Sequence, residues 1–126
     1  MPDLTIDGKT YSVEAGERLV LAIERSGVAI GHRCGGVADC TTCRVQFISG
    51  EPRVMTEAEY NRLLEAGLIG RARLACQIEV DQDMSLRVLD RVDQHPEWQG
   101  DPGPEPEELV EPEAIWYPIE ETGGEE

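Results

Sequence analysis

Four cysteines, at positions 34, 40, 43 and 76, constrain this chain more than any other feature. Three fall within GHRCGGVADCTTCRV and the fourth is isolated in RLACQIEV, which gives the spacing C-x5-C-x2-C-x32-C. A fold that uses all four together must bring one tight loop and one distant segment to a single point. Gly31, Gly35 and Gly36 supply the backbone freedom such a loop needs.

Three clustered thiolates with a distant fourth is how plant-type 2Fe–2S sites are written. Each iron of such a site takes two thiolates. The loop must wrap the inorganic core with its N–H groups turned inward, and small residues between the ligands allow that approach. Gly35-Gly36-Val37-Ala38-Asp39 fills the first gap and Thr41-Thr42 the second. The expected ligands are therefore Cys34, Cys40, Cys43 and Cys76, with Cys76 on a strand that ties the loop to the core. Three rivals compete for the quartet. Structural zinc usually takes two short C-x2-4-C pairs, and only Cys40 and Cys43 form one. Disulfides suit secreted chains, and no secretory signal opens this sequence. A thioredoxin-like C-x-x-C should open a helix, but the strand-like RVQFI follows Cys43.

Charge narrows the partners. The 126 residues carry a formal net charge of −15. Residues 93–126 hold 12 acids and no Lys or Arg, while residues 1–92 hold 14 acids against 11 bases. Nucleic acid and anionic membrane surfaces are poor partners for such a chain, and a basic docking face is a good one. No apolar run approaches the ~20 residues of a membrane helix. A cytoplasmic monomer is expected, in a compartment where thiols stay reduced.

The pattern divides the chain into a compact domain, 1–92, and an acidic, proline-rich tail, 93–126. Leu4 and Ile6 lead into Asp7-Gly8, a two-residue hairpin signal, and Thr10 to Val13 return. Arg18 to Arg25 reads as a helix with Leu19, Ala22 and Ile23 on one apolar face and Gly27 beyond its last turn. After the cysteine loop, Arg44 to Ile48 alternates as a strand. Thr56-Glu57-Ala58-Glu59 has the form of a capping box opening a second helix, with Tyr60, Leu63 and Leu64 as its stripe and Gly67 as its stop. Leu74 to Val80 and Ser85 to Leu89 read as strands. The tail is too polar to order itself, except at 114–119, where Ile115, Trp116, Tyr117, Pro118 and Ile119 form an apolar cluster expected to fold back on the domain; the alternatives are a partner-binding motif or a simple acidic solubiliser.

Other residues have two readings each. His32 and His95 are the only histidines, and neither is needed as a ligand when four cysteines are present. Arg33, Asp39 and Arg44 flank the loop as a docking rim or as solvated charges. Glu57, Glu59 and Glu65 form an acidic docking face on the second helix or an ordinary solvated one. No phosphate loop, nucleophile elbow or metalloprotease helix is present, so no enzyme activity is expected.

The loop CGGVADCTTCRV, the later LACQ and the order of elements resemble the 2Fe–2S ferredoxins over about residues 2–90. The five-residue first gap is similar to the adrenodoxin or bacterial oxygenase-linked type, although the 32-residue last gap is shorter than in adrenodoxin-like proteins. The resemblance implies an α+β, β-grasp mixed sheet with a packed helix, a cluster-binding loop and, here, an acidic C-terminal extension. It implies a soluble one-electron carrier between a reductase or other donor and an acceptor enzyme. It places Cys34 and Cys40 on the iron nearer the surface, which is the one reduced, and Cys43 and Cys76 on the inner iron. The alternatives are a zinc-stabilised interaction module, and a 2Fe–2S sensor or assembly factor.

Overall fold

The computed structural model describes residues 2–28, 30–31, 43–89, 110 and 116–118. The loop residues His32, Arg33, Cys34, Asp39 and Cys40 lie outside the described residues, as do His95, Trp98 and the flanks of 114–119.

The hairpin forms where the sequence places it. Strands β1 (Asp3–Ile6) and β2 (Lys9–Ser12) pair antiparallel with Ile6 opposite Lys9. Asp7 and Gly8 both take positive φ, 51° and 92°, the backbone that a tight hairpin turn with the strands' own twist requires. Leu4 and Ile6 point into the core, and Thr5 on the other face meets Thr10 across the pair, oxygen to oxygen at 2.9 Å.

Strand β8 (Met84–Val88) alternates the same way, burying Met84, Leu86 and Val88, and lies between β1 and β4 (Arg44–Ser49). It runs parallel to β1 and antiparallel to β4, and β6 (Arg73–Leu74) closes the other edge. The result is a mixed five-stranded sheet of order β2-β1-β8-β4-β6, the α+β grasp arrangement expected. Two short ribbons accompany it: β3 (Glu17–Arg18) with β7 (Glu79–Val80), and β5 (Val54–Thr56) with β9 (Trp116–Pro118).

Helix α1 (Leu19–Arg25) buries Leu19, Val20, Leu21, Ala22 and Ile23 in succession. The single apolar face expected from spacing is thus too narrow. Five consecutive apolar residues leave no polar side for the first turn and a half, and such a helix is enclosed on all sides. Helix α2 (Glu57–Ala66) begins and ends as its signals require. Thr56 is the N-cap, its Oγ1 accepting from the Glu59 N–H at 3.0 Å, and Gly67 is a left-handed C-cap at φ 71°. Its inward face differs from the expected stripe. Leu63 is buried, but Leu64 is 57% exposed and Glu59 takes the inward place four residues before Leu63.

One glycine is irreplaceable for steric reasons. Gly50, at φ 76°, lies after β4, where the register with β8 shifts between Phe47 and Ser49. A Cβ on Gly50 would sit 2.1 Å from the Asp83 carbonyl oxygen and 2.9 Å from the Met84 Cα. Both are backbone atoms at the start of the neighbouring strand and cannot rotate away. Gly50→Ala is expected to cost about 2–3 kcal/mol, read as a lower midpoint in urea; an unchanged midpoint would refute the close approach.

Strand β9 brings the tail back to the domain. Trp116 stands opposite Thr56 and Pro118 opposite Val54, and Trp116 itself is 37% exposed. Deleting residues 111–126 strips β5 of this partner. The expected loss is about 1–2 kcal/mol, measured by denaturation against the full chain, and Trp116→Ala should reproduce part of it.

Candidate metal centre

Cys43 is the residue just before β4, and Cys76 lies just after β6. Because β4 and β6 pair antiparallel, with Arg44 opposite Leu74, the two cysteines reach the same end of the sheet. The ladder continues one step beyond the strands, where the Ala75 N–H donates to the Cys43 carbonyl at 3.0 Å. The chain then curls into a single 3-10 turn, Ala75–Gln77. The Cys76 N–H swings toward Cys43 and donates to its Sγ at 3.4 Å. Both cysteines are buried.

The expected strand over Leu74 to Val80 is therefore interrupted at its most important residue. Leu74, Ile78 and Val80 are buried as alternation requires, but so are Ala75, Cys76 and Gln77. A flat strand would send alternate side chains to opposite faces. The turn instead sends the whole run inward and turns an N–H onto a sulfur.

Three contacts clamp this turn to the start of α1. The β3–β7 ribbon pairs Arg18 with Glu79, the Leu19 N–H donates to the Ile78 carbonyl at 2.8 Å, and the Arg18 Nε–H donates to the Cys76 carbonyl at 2.8 Å. Arg18 is 1% exposed. A cation at a helix N-terminus opposes the helix dipole, so its place there is set by the Cys76 turn rather than by the helix. The sequence pattern does not single out Arg18 as part of the site; its one signal is the mismatch of a basic residue at the mouth of an apolar helix. Gln77 enters the pattern only as the last residue of LACQ. Its Nε2 donates to the Cys76 Sγ at 3.7 Å.

A second buried polar group props the same corner. The Arg73 Nε donates to Glu59 Oε2 at 2.7 Å and its Nη2 to Glu59 Oε1 at 3.1 Å, a two-pronged pair. Arg73 also donates to the carbonyls of Pro52 and Val54 and to Glu51, and Glu59 Oε2 accepts from the Leu74 N–H at 2.8 Å. Burial alone would push the Arg73 guanidinium down, but the Glu59 carboxylate, with Glu51 behind it, holds it above its ordinary range. Glu59 is 0% exposed. Its expected place on a solvated or docking face is corrected: a carboxylate that satisfies an arginine and a strand N–H belongs inside. Glu57 and Glu65 are exposed, and Glu65 pairs with Arg62 at 2.8 Å.

The donor chemistry fits a metal–sulfur group. A buried thiolate is costly unless hydrogen-bonded or coordinated, and here N–H donors turn toward both described sulfurs. The structure brings Cys43 and Cys76 together across 33 residues of sequence; Cys34 and Cys40 lie outside the described residues.

Fold and site together define a mixed-sheet grasp domain with two buried, hydrogen-bonded cysteines at one end of the sheet. The 2Fe-2S iron-sulfur cluster binding domain family matches residues 4–81, and the chain belongs to that family. Its cofactor is accordingly a 2Fe–2S cluster, which replaces the zinc reading. The chain is 35% identical over 94 residues to a subunit of the Na(+)-translocating NADH-quinone reductase of Chlamydia pneumoniae, covering 72% of this chain and 21% of that protein. It thus spans about a fifth of the length of the curated relatives it matches. Among solved structures, the ISC-like [2Fe-2S] ferredoxin FdxB from Pseudomonas putida superposes with a TM-score of 0.60 at 27% identity, covering 71% of this chain and 93% of that one. Putidaredoxin in its covalent complex with putidaredoxin reductase gives a TM-score of 0.53 at 26% identity, covering 71% of this chain and 99% of that one.

Proposed function

We propose that the domain is a one-electron carrier whose cluster is held by Cys34, Cys40, Cys43 and Cys76. The observation that carries this reading is the meeting of Cys43 and Cys76, each with an N–H donor on its sulfur. When bound, the cluster supplies reversible one-electron uptake at fixed geometry. The rest is the work of this chain's own residues. Cys43 and Cys76 sit under the sheet end, where water is excluded. The Cys76 N–H and the Gln77 amide direct positive dipoles at the sulfurs, which favours added negative charge. Arg18 fixes the Cys76 carbonyl, so the turn does not rearrange when charge changes. Little reorganisation is what an outer-sphere carrier needs.

Residues 1–92 form the cluster domain in this reading, and 93–126 an acidic tail with a docking segment at 114–119. The partners are a reductase and an acceptor enzyme with basic docking surfaces, which the net charge of −15 supports. The putidaredoxin complex with its reductase and the relatives within NADH-quinone reductases support redox partners of this kind. The domain itself catalyses no reaction on a substrate and works as a cytoplasmic monomer. No described helix is long and apolar enough to cross a membrane.

The test is spectroscopic and analytical. Purified protein should be coloured, hold iron and acid-labile sulfide in equal amounts, and become paramagnetic on uptake of one electron, reversibly. A folded protein that takes up one zinc and no sulfide under iron-replete, anaerobic conditions would end the proposal.

A further inference from the structure

Gln77 is 0% exposed, and both ends of its amide are engaged. The Thr56 hydroxyl donates to Gln77 Oε1 at 2.7 Å, and Gln77 Nε2 donates to the Cys76 Sγ at 3.7 Å. Thr56 is equally constrained. Its Oγ1 accepts from the Glu59 N–H, and its single proton goes to Gln77 Oε1, an oxygen that can only accept. Accepting from Thr56 sets which way the amide faces: oxygen toward Thr56, nitrogen toward the sulfur. Thr56 in turn is held at the junction of β5 and α2, with Trp116 of β9 opposite it. A relay of fixed polarity therefore runs from the cap of α2 to a cysteine sulfur: Glu59 N–H, Thr56 hydroxyl, Gln77 amide, Cys76.

We propose that Gln77 is a positioning residue for electron transfer. Oriented by Thr56, it donates to the Cys76 sulfur and raises the reduction potential of the bound cluster. The physical reason is differential. A donor beside a ligating sulfur interacts more strongly with the reduced state, which has one more negative charge, so it favours reduction. The inference rests on Cys76 being a ligand. It goes beyond that assignment by naming which side chain tunes the couple and which one aims it.

Three variants test it, with iron and sulfide content measured beside the midpoint potential. Gln77→Met keeps the volume and removes the donor. Its potential is expected to fall by about a tenfold change in the one-electron equilibrium constant, about 59 mV, at unchanged cluster content. Thr56→Val loses the hydroxyl that aims the amide and should shift the potential the same way. Thr56→Ser retains the hydroxyl and should restore the native value. A purely structural role would lower thermal stability in Gln77→Met and Thr56→Val while leaving the potential in place, and that result overturns the proposal. Should Gln77→Met fail to fold, the Thr56→Val and Thr56→Ser pair decides: equal potentials refute the relay, unequal ones uphold it. Failure of the underlying ligand assignment is distinct, because Cys76→Ser would then keep a full complement of iron and sulfide.

Discussion

Cys76→Ser is expected to yield a colourless protein, with nearly all of its iron and labile sulfide lost and no paramagnetic signal after reduction. A serine hydroxyl is a harder and far less acidic ligand than a thiol, and at this position it would face the Gln77 amide with no exposure to water. Cys43→Ser should behave alike, since its sulfur accepts from the Cys76 N–H and sits in the same buried corner. Absorbance in the visible range and an iron–sulfide assay check both. The fold should survive in part, because Cys43 and Cys76 are only two members of a core cluster that also holds Leu4, Ile6, Leu21, Ile23, Leu63 and Leu86. Retention of full colour by either variant would mean that the two cysteines meet for packing alone.

The second large effect is expected at a residue with no role in the chemistry. Glu59→Ala should cost about 3–5 kcal/mol, the range for removing one partner of a buried ion pair. It takes the two-pronged carboxylate from the Arg73 guanidinium, 4% exposed, which keeps the Pro52 and Val54 carbonyls, and it leaves the Leu74 N–H without its acceptor. Glu51 cannot take over, because it is half-exposed and meets only one end of the guanidinium, at 3.2 Å. Replacing both partners by apolar residues, Glu59→Leu with Arg73→Met, should cost less than either single change, since no charge is then left buried. Urea titrations of the two singles and the double check this. If Glu59→Ala lay within about 0.5 kcal/mol of the native protein, as a surface substitution does, the pair would be a solvated one after all.

The features legible in the sequence are those decided locally. Asp7-Gly8, the Thr56 cap and Gly67 each determine the backbone within one turn of themselves and are found where expected, whereas the Glu59 carboxylate, instead of closing the capping box, goes to Arg73 and the Leu74 N–H. The meeting of Cys43 and Cys76 is legible because cysteine side-chain chemistry has few uses. The features that sequence alone misreads are settled by partners far along the chain. Glu59 has the look of a helix-surface carboxylate because its arginine lies 14 residues away. Arg18 has the look of an ordinary first helical residue because the carbonyl it holds is 58 residues away. The turn at Cys76 breaks an alternating pattern that Leu74, Ile78 and Val80 obey; the bend comes from closing over Cys43, and no residue of LACQ announces it. Local rules are broken where the sulfur site is built, the expected pattern when function overrides propensity.

The parallel pairing of β1 with β8 has a consequence for biogenesis. Leu4 lies opposite Met84, so the first strand has no central partner until the chain has been made past Ile6's neighbour, Leu86. The hairpin can form early, but the sheet cannot shut during translation before all four thiols have left the ribosome. Long-range parallel closure is also slow. Cys43 and Cys76, joined through the β4–β6 pair, can therefore meet before β1 gains its central partner, so this corner of the sheet can form ahead of its closure.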